Sequence, residues 1–176
     1  MMNGMNPAAP CRLMGEVAMQ YIHLTLFDFA QRDIGVKEFA GGLDNPLIMA
    51  MLRLTAAGQW DGWPEHDEVP WCSAALNFWC RYLRLPRSKS LLARSWLSIG
   101  RPIALEDAVA ANDIVILKRG SGAGAAGPDN VTAPGHVGIF AGLEGTKVLL
   151  LGGNQGDQVS IARHPKANVI GVRRLL

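Results

Sequence analysis

Apolar residues follow a helical period in the first half of the chain. Within residues 20–34, Ile22, Leu26, Phe29 and Ala30 fall on one helical face, and Gly35 follows as a C-cap. This pattern predicts a first helix over residues 20–34.

Three further helices follow, each marked by residues that favour helix ends. They are predicted over residues 47–57, 71–83 and 92–99. Asn45 and Pro46 supply the N-cap and first helical position of the earliest one, and Gly58 closes it. Pro70 opens the next, which predicts that Cys72 lies in the first turn of a helix.

After residue 110 the period changes to short apolar or alternating runs, separated by turns that contain glycine. These runs predict strands over residues 113–117, 136–141, 147–151, 158–162 and 169–173. Helices followed by consecutive strands indicate an α+β fold, with N-terminal helices packed on a C-terminal antiparallel sheet.

Composition and charge narrow the class of protein. The 176 residues are 49% hydrophobic and 18% charged, which is typical of a globular domain. We assign residues 19–176 to a single domain and expect residues 1–18 to form a flexible tail. A net charge of +2 without a dense Lys/Arg run argues against a nucleic-acid partner. No apolar run approaches the roughly 20 residues of a membrane span. We also expect the protein to be a monomer.

The three cysteines suggest neither disulfides nor a zinc site, because their number is odd and no Cys-x-x-Cys spacing occurs. A helix N-terminus stabilises a thiolate, so the position of Cys72 predicts a lowered pKa and a nucleophile. The alternative for Cys72 is a small buried residue that fills the core. Cys80 lies in mid-helix among apolar residues and is assigned to packing.

A cysteine nucleophile needs a base and a third group that holds the base. Of the four histidines, His136 alone opens an apolar strand directly after a long glycine-rich loop. The next strand ends in Gly-Gly-Asn-Gln, where Asn154 is placed to present its amide oxygen to the imidazole. Gln155 is the rival for that role, and the alternatives are a structural histidine and an ordinary turn asparagine.

Six short segments occur along the chain in a fixed order. They are GVKE at 35–38 with DNP at 44–46, PWCSA at 70–74, ARSWL at 93–97, NDIV at 112–115, GHVG at 135–138 and LGGNQ at 151–155. Together they resemble the NlpC/P60 and CHAP-like cysteine peptidases, especially a compact subgroup common in phages and prophages, over residues 20–174. The chain departs from that pattern at Asn112, where Gly is usual, and in the long segment 120–134.

The resemblance implies a papain-like fold and cleavage of an amide bond in peptidoglycan. It implies Cys72 as the nucleophile, His136 as the base and Asn154 as the orienting group. Four side chains near the motifs are assigned to substrate binding: Trp71, Gln155, Glu38 and Trp63. Tryptophans present large rigid faces to a ligand, although anchoring their loop to the core is the alternative.

Other ligands find little support in the sequence. Residues 122–127 read Gly-x-Gly-x-x-Gly, but a strand rather than a helix follows, so we expect a loop beside the cleft and no nucleotide. No ordered metal-ligand spacing is present, and thioester chemistry requires no cofactor.

The expected function is therefore hydrolysis of a peptidoglycan amide bond, with amidase and endopeptidase action left open. A cysteine hydrolase, transpeptidase, deamidase or toxin acting on another acyl substrate is the second hypothesis. A wall-binding or virion structural module of the same fold is the third. No signal peptide is recognisable, so we expect synthesis in the cytoplasm and action in the periplasm or cell wall after delivery.

Overall fold

The computed structural model of the protein describes residues 23–41, 43–56, 65–120 and 127–176. The expected tail over residues 1–18 lies outside these ranges. So do Trp63 and most of the Gly-x-Gly-x-x-Gly segment.

The first helix, α1, spans Leu26–Ala30 and continues as a 3-10 turn over Gln31–Asp33. Thr25 caps it reciprocally: the Thr25 hydroxyl accepts from the N–H of Asp28, and the Asp28 carboxylate accepts from the N–H of Thr25. Residues 23–25, which the sequence pattern placed in the helix, are therefore outside it. The prediction was wrong there because the apolar spacing did not reveal the cap.

The second helix, α2, spans Pro46–Ala56. Oδ1 of Asn45 accepts from the N–H of Leu47 at 2.9 Å, so the predicted N-cap is confirmed. Its predicted end at Gly58 lies outside the described residues.

The third helix, α3, spans Cys72–Tyr82, with Trp71 at the N-cap position. Cys72 is therefore the first residue of a helix, as predicted. The predicted helix over residues 92–99 is instead a 3-10 helix, Ala93–Ser98.

The second half of the chain forms a six-stranded sheet in which every recorded pairing is antiparallel. The strands are β1 (Arg101–Pro102), β2 (Asp113–Lys118), β3 (Gly135–Glu144), β4 (Lys147–Gly152), β5 (Ser160–Pro165) and β6 (Val169–Arg174). They lie in the order β1-β6-β2-β3-β4-β5. The five predicted strands are confirmed, while the two-residue β1 was missed because it is too short for an alternating pattern to show.

The principal core lies between the helices and one face of the sheet. Helices α1 and α3 pack on the sheet, and α2 packs on α3. The buried residues of this core include Leu26, Ile48, Leu52, Leu76, Trp79, Ile114, Ile116, Val137, Ile139 and Leu151. A smaller cluster on the other face contains Val115, Leu117, Phe140, Val148, Leu150 and Val172. The predicted α+β fold class, helices on an antiparallel sheet, is confirmed.

The turn after β4 lies against the start of α3. A Cβ atom added to Gly153 would lie 2.6 Å from Cε3 of Trp71 and 2.9 Å from Cβ of Ala75, and closer still to Cζ3 of the indole. Trp71 is fully buried, so its ring has no free space into which to move. The glycine at position 153 is therefore what lets this turn approach the N-terminus of α3.

In the part of the chain that the structure describes, no helix has the length and apolar character needed to cross a lipid bilayer.

We expect Gly153→Ala to lower the free energy of unfolding by about 1–3 kcal/mol, the usual cost of overpacking a buried contact. Gly127→Ala is the matched control, because a Cβ added there meets nothing within 4 Å. Urea unfolding of both variants checks this. Equal stability of the two variants would contradict the close contact with Trp71.

Candidate active site

Cys72 lies at the junction of α3 with β3. Its side chain is 4% exposed. The backbone N–H groups of Val137 and Ser73 favour a negative charge on the sulfur. Val137 follows His136 in β3, so the thiol lies beside the strand that carries the candidate base.

The ionisation of the thiol differs from the sequence prediction. Burial raises the pKa of Cys72 above its ordinary value, although the N–H of Val137 and the charge of Arg119 oppose this. The predicted lowering of the pKa was wrong, because burial of the sulfur outweighs the backbone N–H groups and the charge of Arg119 that favour the thiolate. The resting side chain at neutral pH is a thiol.

His136 is fully buried, and both of its ring nitrogens have partners. Nδ1 lies 3.1 Å from Nη2 of Arg119, and Nε2 lies 3.1 Å from Oε1 of Gln155. A guanidinium has only donors, so Nδ1 must accept. Nε2 therefore carries the proton and donates a hydrogen bond to Oε1 of Gln155.

The Gln155 amide is oriented by the turn in which it lies. Its Nε2 donates to three backbone carbonyls, those of Ser160 at 2.6 Å, Leu150 at 3.1 Å and Gly152 at 3.3 Å. Its Oε1 must then face the histidines, where it accepts from His136 and, at 2.8 Å, from Nε2 of His164. The buried amide thus fixes the tautomer of His136.

Asn154 does not contact the imidazole. Its backbone is left-handed, with φ at 56°, and its Nδ2 donates to Oε1 of Glu38 at 3.3 Å. The expected orienting contact from Asn154 is therefore made by Gln155, the rival residue. The sequence could not separate the two, because the turn conformation after two glycines decides which amide faces the strand.

Glu38 and Trp71 also lie in this network, and Glu38 remains partly exposed. Nε1 of Trp71 donates to Oε1 of Glu38 at 2.7 Å, and the whole indole is buried. Burial raises the pKa of Glu38, and the hydrogen bond from Trp71 opposes that shift. In the described residues, Trp71 anchors the loop to the core, which was the alternative interpretation for this residue.

A cavity of about 310 Å³ opens beside Cys72. It is lined by Pro70, Cys72, Leu91, Leu92, Ala93, Arg119, Thr132, Ala133, Pro134 and Gly135. Cys72 is thus at the wall of a space large enough for part of a substrate. Arg119 lies in the same wall and was missed by the sequence analysis. The sequence feature that could have identified Arg119 is its position just after β2. Leu117, two residues earlier, pairs with His136 across the β2–β3 hairpin.

The far wall of the cavity is held by Arg94, from the ARSWL segment. Its fully buried guanidinium donates to the carbonyls of Pro134 at 2.9 Å, Gly127 at 2.8 Å and Asn130 at 3.3 Å. These carbonyls belong to residues 127–134, which contribute Thr132 and Ala133 to the cavity. Arg94 therefore sets the position of this wall.

In the described part of the chain, no hydrogen bond joins Cys72 to His136 directly. The two side chains share Arg119, whose guanidinium donates to Nδ1 of His136 and whose charge acts on the thiol. The acceptor nitrogen of the ring is therefore occupied in this structure.

The fold is similar to that of a solved structure, NlpC1 from Trichomonas vaginalis, with which the chain shares 16% sequence identity. The TM-score is 0.50, and the match covers 89% of this chain and 46% of that one. The chain thus spans less than half the length of the protein it matches, and the likeness is one of fold. No family model and no curated protein matches the sequence.

Burial, the charge of Arg119 and the neighbouring His164 lower the pKa of His136 to about 3, and the hydrogen bond to Gln155 opposes them. Burial also lowers the pKa of His164. The imidazole of His136 is therefore neutral at physiological pH, and so is the thiol of Cys72.

Away from the cavity, Asp44, His66 and Glu68 bring potential metal-ligating atoms within 4.8 Å of one another. No ordered ligand spacing marks this group in the sequence. Nδ1 of His66 lies 3.5 Å from Oδ2 of Asp44, and His66 and Glu68 are exposed.

We expect the free energy of unfolding to fall as pH falls from about 6.5 toward 3. His136 is neutral in the folded protein across this window, while the unfolded chain protonates its imidazole near the ordinary value of 6.5. Between pH 7 and pH 4 the expected loss from this residue is about 3 kcal/mol.

Urea unfolding across the pH range, of wild type and His136→Gln, isolates this effect. The variant lacks the titrating ring and should lose less stability on acidification. Parallel pH profiles for the two proteins would show that His136 is not held neutral by the fold.

Proposed function

We propose that the chain is a cysteine-dependent amide hydrolase that acts on peptidoglycan. The observation that carries the proposal is the tautomer of His136, whose unprotonated Nδ1 accepts a hydrogen bond from Arg119, a residue in the wall of the cavity that Cys72 also lines. A nucleophile, a base of fixed tautomer and an orienting amide are the three parts that thioester catalysis needs. Gln155 takes the third role in this proposal, and Asn154 supports the turn.

The proposed reaction begins with the neutral pair. The sulfur of Cys72 attacks the amide carbon as its proton passes to Nδ1 of His136, so an S–C bond forms. The C–N bond then breaks, and the amine leaves with the proton from Nδ1. Water attacks the thioester, gives one proton to Nδ1, and releases the acid as the S–C bond breaks. That proton returns to the sulfur, which restores the thiol.

The developing oxyanion has donors at the start of α3. The N–H of Cys72 and its neighbours have no helical acceptor there, because the first turn of a helix leaves its N–H groups free. The N–H groups of Val137 and Ser73 also favour negative charge at the sulfur, so the same region suits an oxyanion.

The substrate assignment rests on the motif resemblance to NlpC/P60 and CHAP-like enzymes, and the fold likeness to NlpC1 is consistent with it. A papain-like architecture, a place in a phage lysis or virion apparatus, and action in the periplasm or wall after delivery belong to this proposal. The mild net charge of +2 suits an anionic wall polymer. Amidase and endopeptidase action use the same chemistry at Cys72.

One observation favours the alternative of a non-catalytic module. The thiol is buried with a raised pKa, and Arg119 occupies the nitrogen that would accept its proton. A structural protein of this fold would keep such an arrangement permanently.

We expect wild type to release soluble muropeptides from purified Gram-negative sacculi, and Cys72→Ala to release none, because the covalent step needs the sulfur. Cys80→Ala is the matched control, since Cys80 is also buried in α3 but lies away from the cavity. Mass spectrometry of the products identifies the bond that is cut.

Near wild-type release by Cys72→Ala would rule out the thioester mechanism. No release by a folded wild type would favour the non-catalytic module, or a cysteine hydrolase with another acyl substrate.

A further inference from the structure

We propose that Arg119 binds a substrate carboxylate. Its guanidinium then leaves Nδ1 of His136, and this nitrogen becomes free to act as the base. The inference rests on the proposed function and names its substrate class: an acyl amide that carries a carboxylate beside the bond to be cut. Arg119 would then determine specificity and also control when the dyad can react.

The first support is the position of Arg119. It follows β2 at the mouth of the cavity that Cys72 lines, and the residue is exposed to solvent. Its backbone is tied down by a hydrogen bond from its N–H to the carbonyl of Pro134 at 3.2 Å. The side chain therefore runs from a fixed backbone position to the buried imidazole, while the residue as a whole stays exposed beside the cavity, where a ligand can reach it.

The second support is that Arg119 pairs with no carboxylate among the described residues. Within the described ranges, its side chain has one hydrogen bond, to Nδ1 of His136 at 3.1 Å, and no carboxylate lies within ion-pair distance. A guanidinium offers five donors in a planar fork that matches a carboxylate with two parallel bonds. Most of its donor capacity is unused in this structure.

The third support is the surroundings. Pro70, Leu91, Leu92, Ala93 and Ala133 give the cavity a largely apolar wall. An ion pair that is shielded from water by such side chains is stronger than one at an open surface. A carboxylate offers the guanidinium a full negative charge and two acceptor oxygens, whereas the neutral imidazole offers one uncharged acceptor. A carboxylate in the cavity would therefore compete successfully with the neutral imidazole for Arg119.

The consequence for chemistry follows from the occupied nitrogen. While Arg119 donates to Nδ1, the proton of the Cys72 thiol has no acceptor on the ring. Moving the guanidinium to the substrate leaves the Nδ1 lone pair open, whereas Nε2 stays bonded to Gln155. Substrates without the carboxylate would leave the base occupied and would react slowly.

The test compares wild type, Arg119→Gln and a control variant on two probes. The probes are soluble muropeptides with free carboxylates, and the same muropeptides with those carboxylates converted to amides. For wild type we expect kcat/KM on the free acids to exceed that on the amides on the order of 10- to 100-fold, the range of a charged hydrogen bond. Arg119→Gln should lose that preference, while Arg53→Gln, an exposed arginine on α2, should keep it.

Arg119→Gln that slows both probes equally and keeps the wild-type preference would overturn the proposal, as would a wild type without any preference. Cys72→Ala, run alongside, reports separately on the proposed function, since activity that survives in that variant contradicts the nucleophile and not the carboxylate site.

A binding measurement decides the question even if neither probe is cleaved. In Cys72→Ala protein, acetate is the minimal carboxylate probe, compared with chloride at equal ionic strength. We expect acetate to raise the pKa of His136, followed by NMR, and to have no effect once Arg119→Gln is added. The same pKa in acetate and chloride would show that a carboxylate does not draw Arg119 from the imidazole.

Discussion

The candidate site depends on one buried amide. The side-chain N–H groups of Gln155 donate to backbone carbonyls around its own turn. The amide oxygen must therefore face the histidines. That oxygen requires a donor, and it therefore places the proton of His136 on Nε2 and the lone pair on Nδ1. The turn can sit there because Gly153 has no side chain to strike Trp71. Packing at the start of α3 and the protonation state of the base are thus two results of one constraint.

Two arginines have different positions and roles around the cavity. Arg94 is buried and bonded to carbonyls of residues 127–134, so it shapes a wall. Arg119 is exposed and bonded to the base, so it is able to exchange partners. Burial makes both Cys72 and His136 prefer their neutral forms. In the proposed mechanism, the proton of a neutral thiol must move to Nδ1 as the sulfur attacks, so the proposed exchange of Arg119 controls the reaction.

Much of this arrangement followed from the sequence, because local signals determine it. Alternating apolar runs between glycines defined five of the six strands, and Pro70 placed Cys72 at a helix start. Properties that depend on distant packing did not follow. The sign of the thiol pKa shift depends on burial of the sulfur in the folded chain, which the helix pattern alone does not reveal. The choice of Gln155 over Asn154 depends on one backbone turn with φ at 56°. Arg119 was missed because its importance comes from the β2–β3 register and not from a motif.

The most direct test of this constraint is the nitrogen-15 NMR spectrum of the His136 ring at neutral pH. The Gln155 network predicts a protonated Nε2 and an unprotonated Nδ1 in wild type. Gln155→Leu should release that tautomer, and Asn154→Ala should keep it. A proton on Nδ1 in wild type, or a tautomer that changes with Asn154→Ala but not with Gln155→Leu, would contradict the assignment of Gln155 as the group that orients the base.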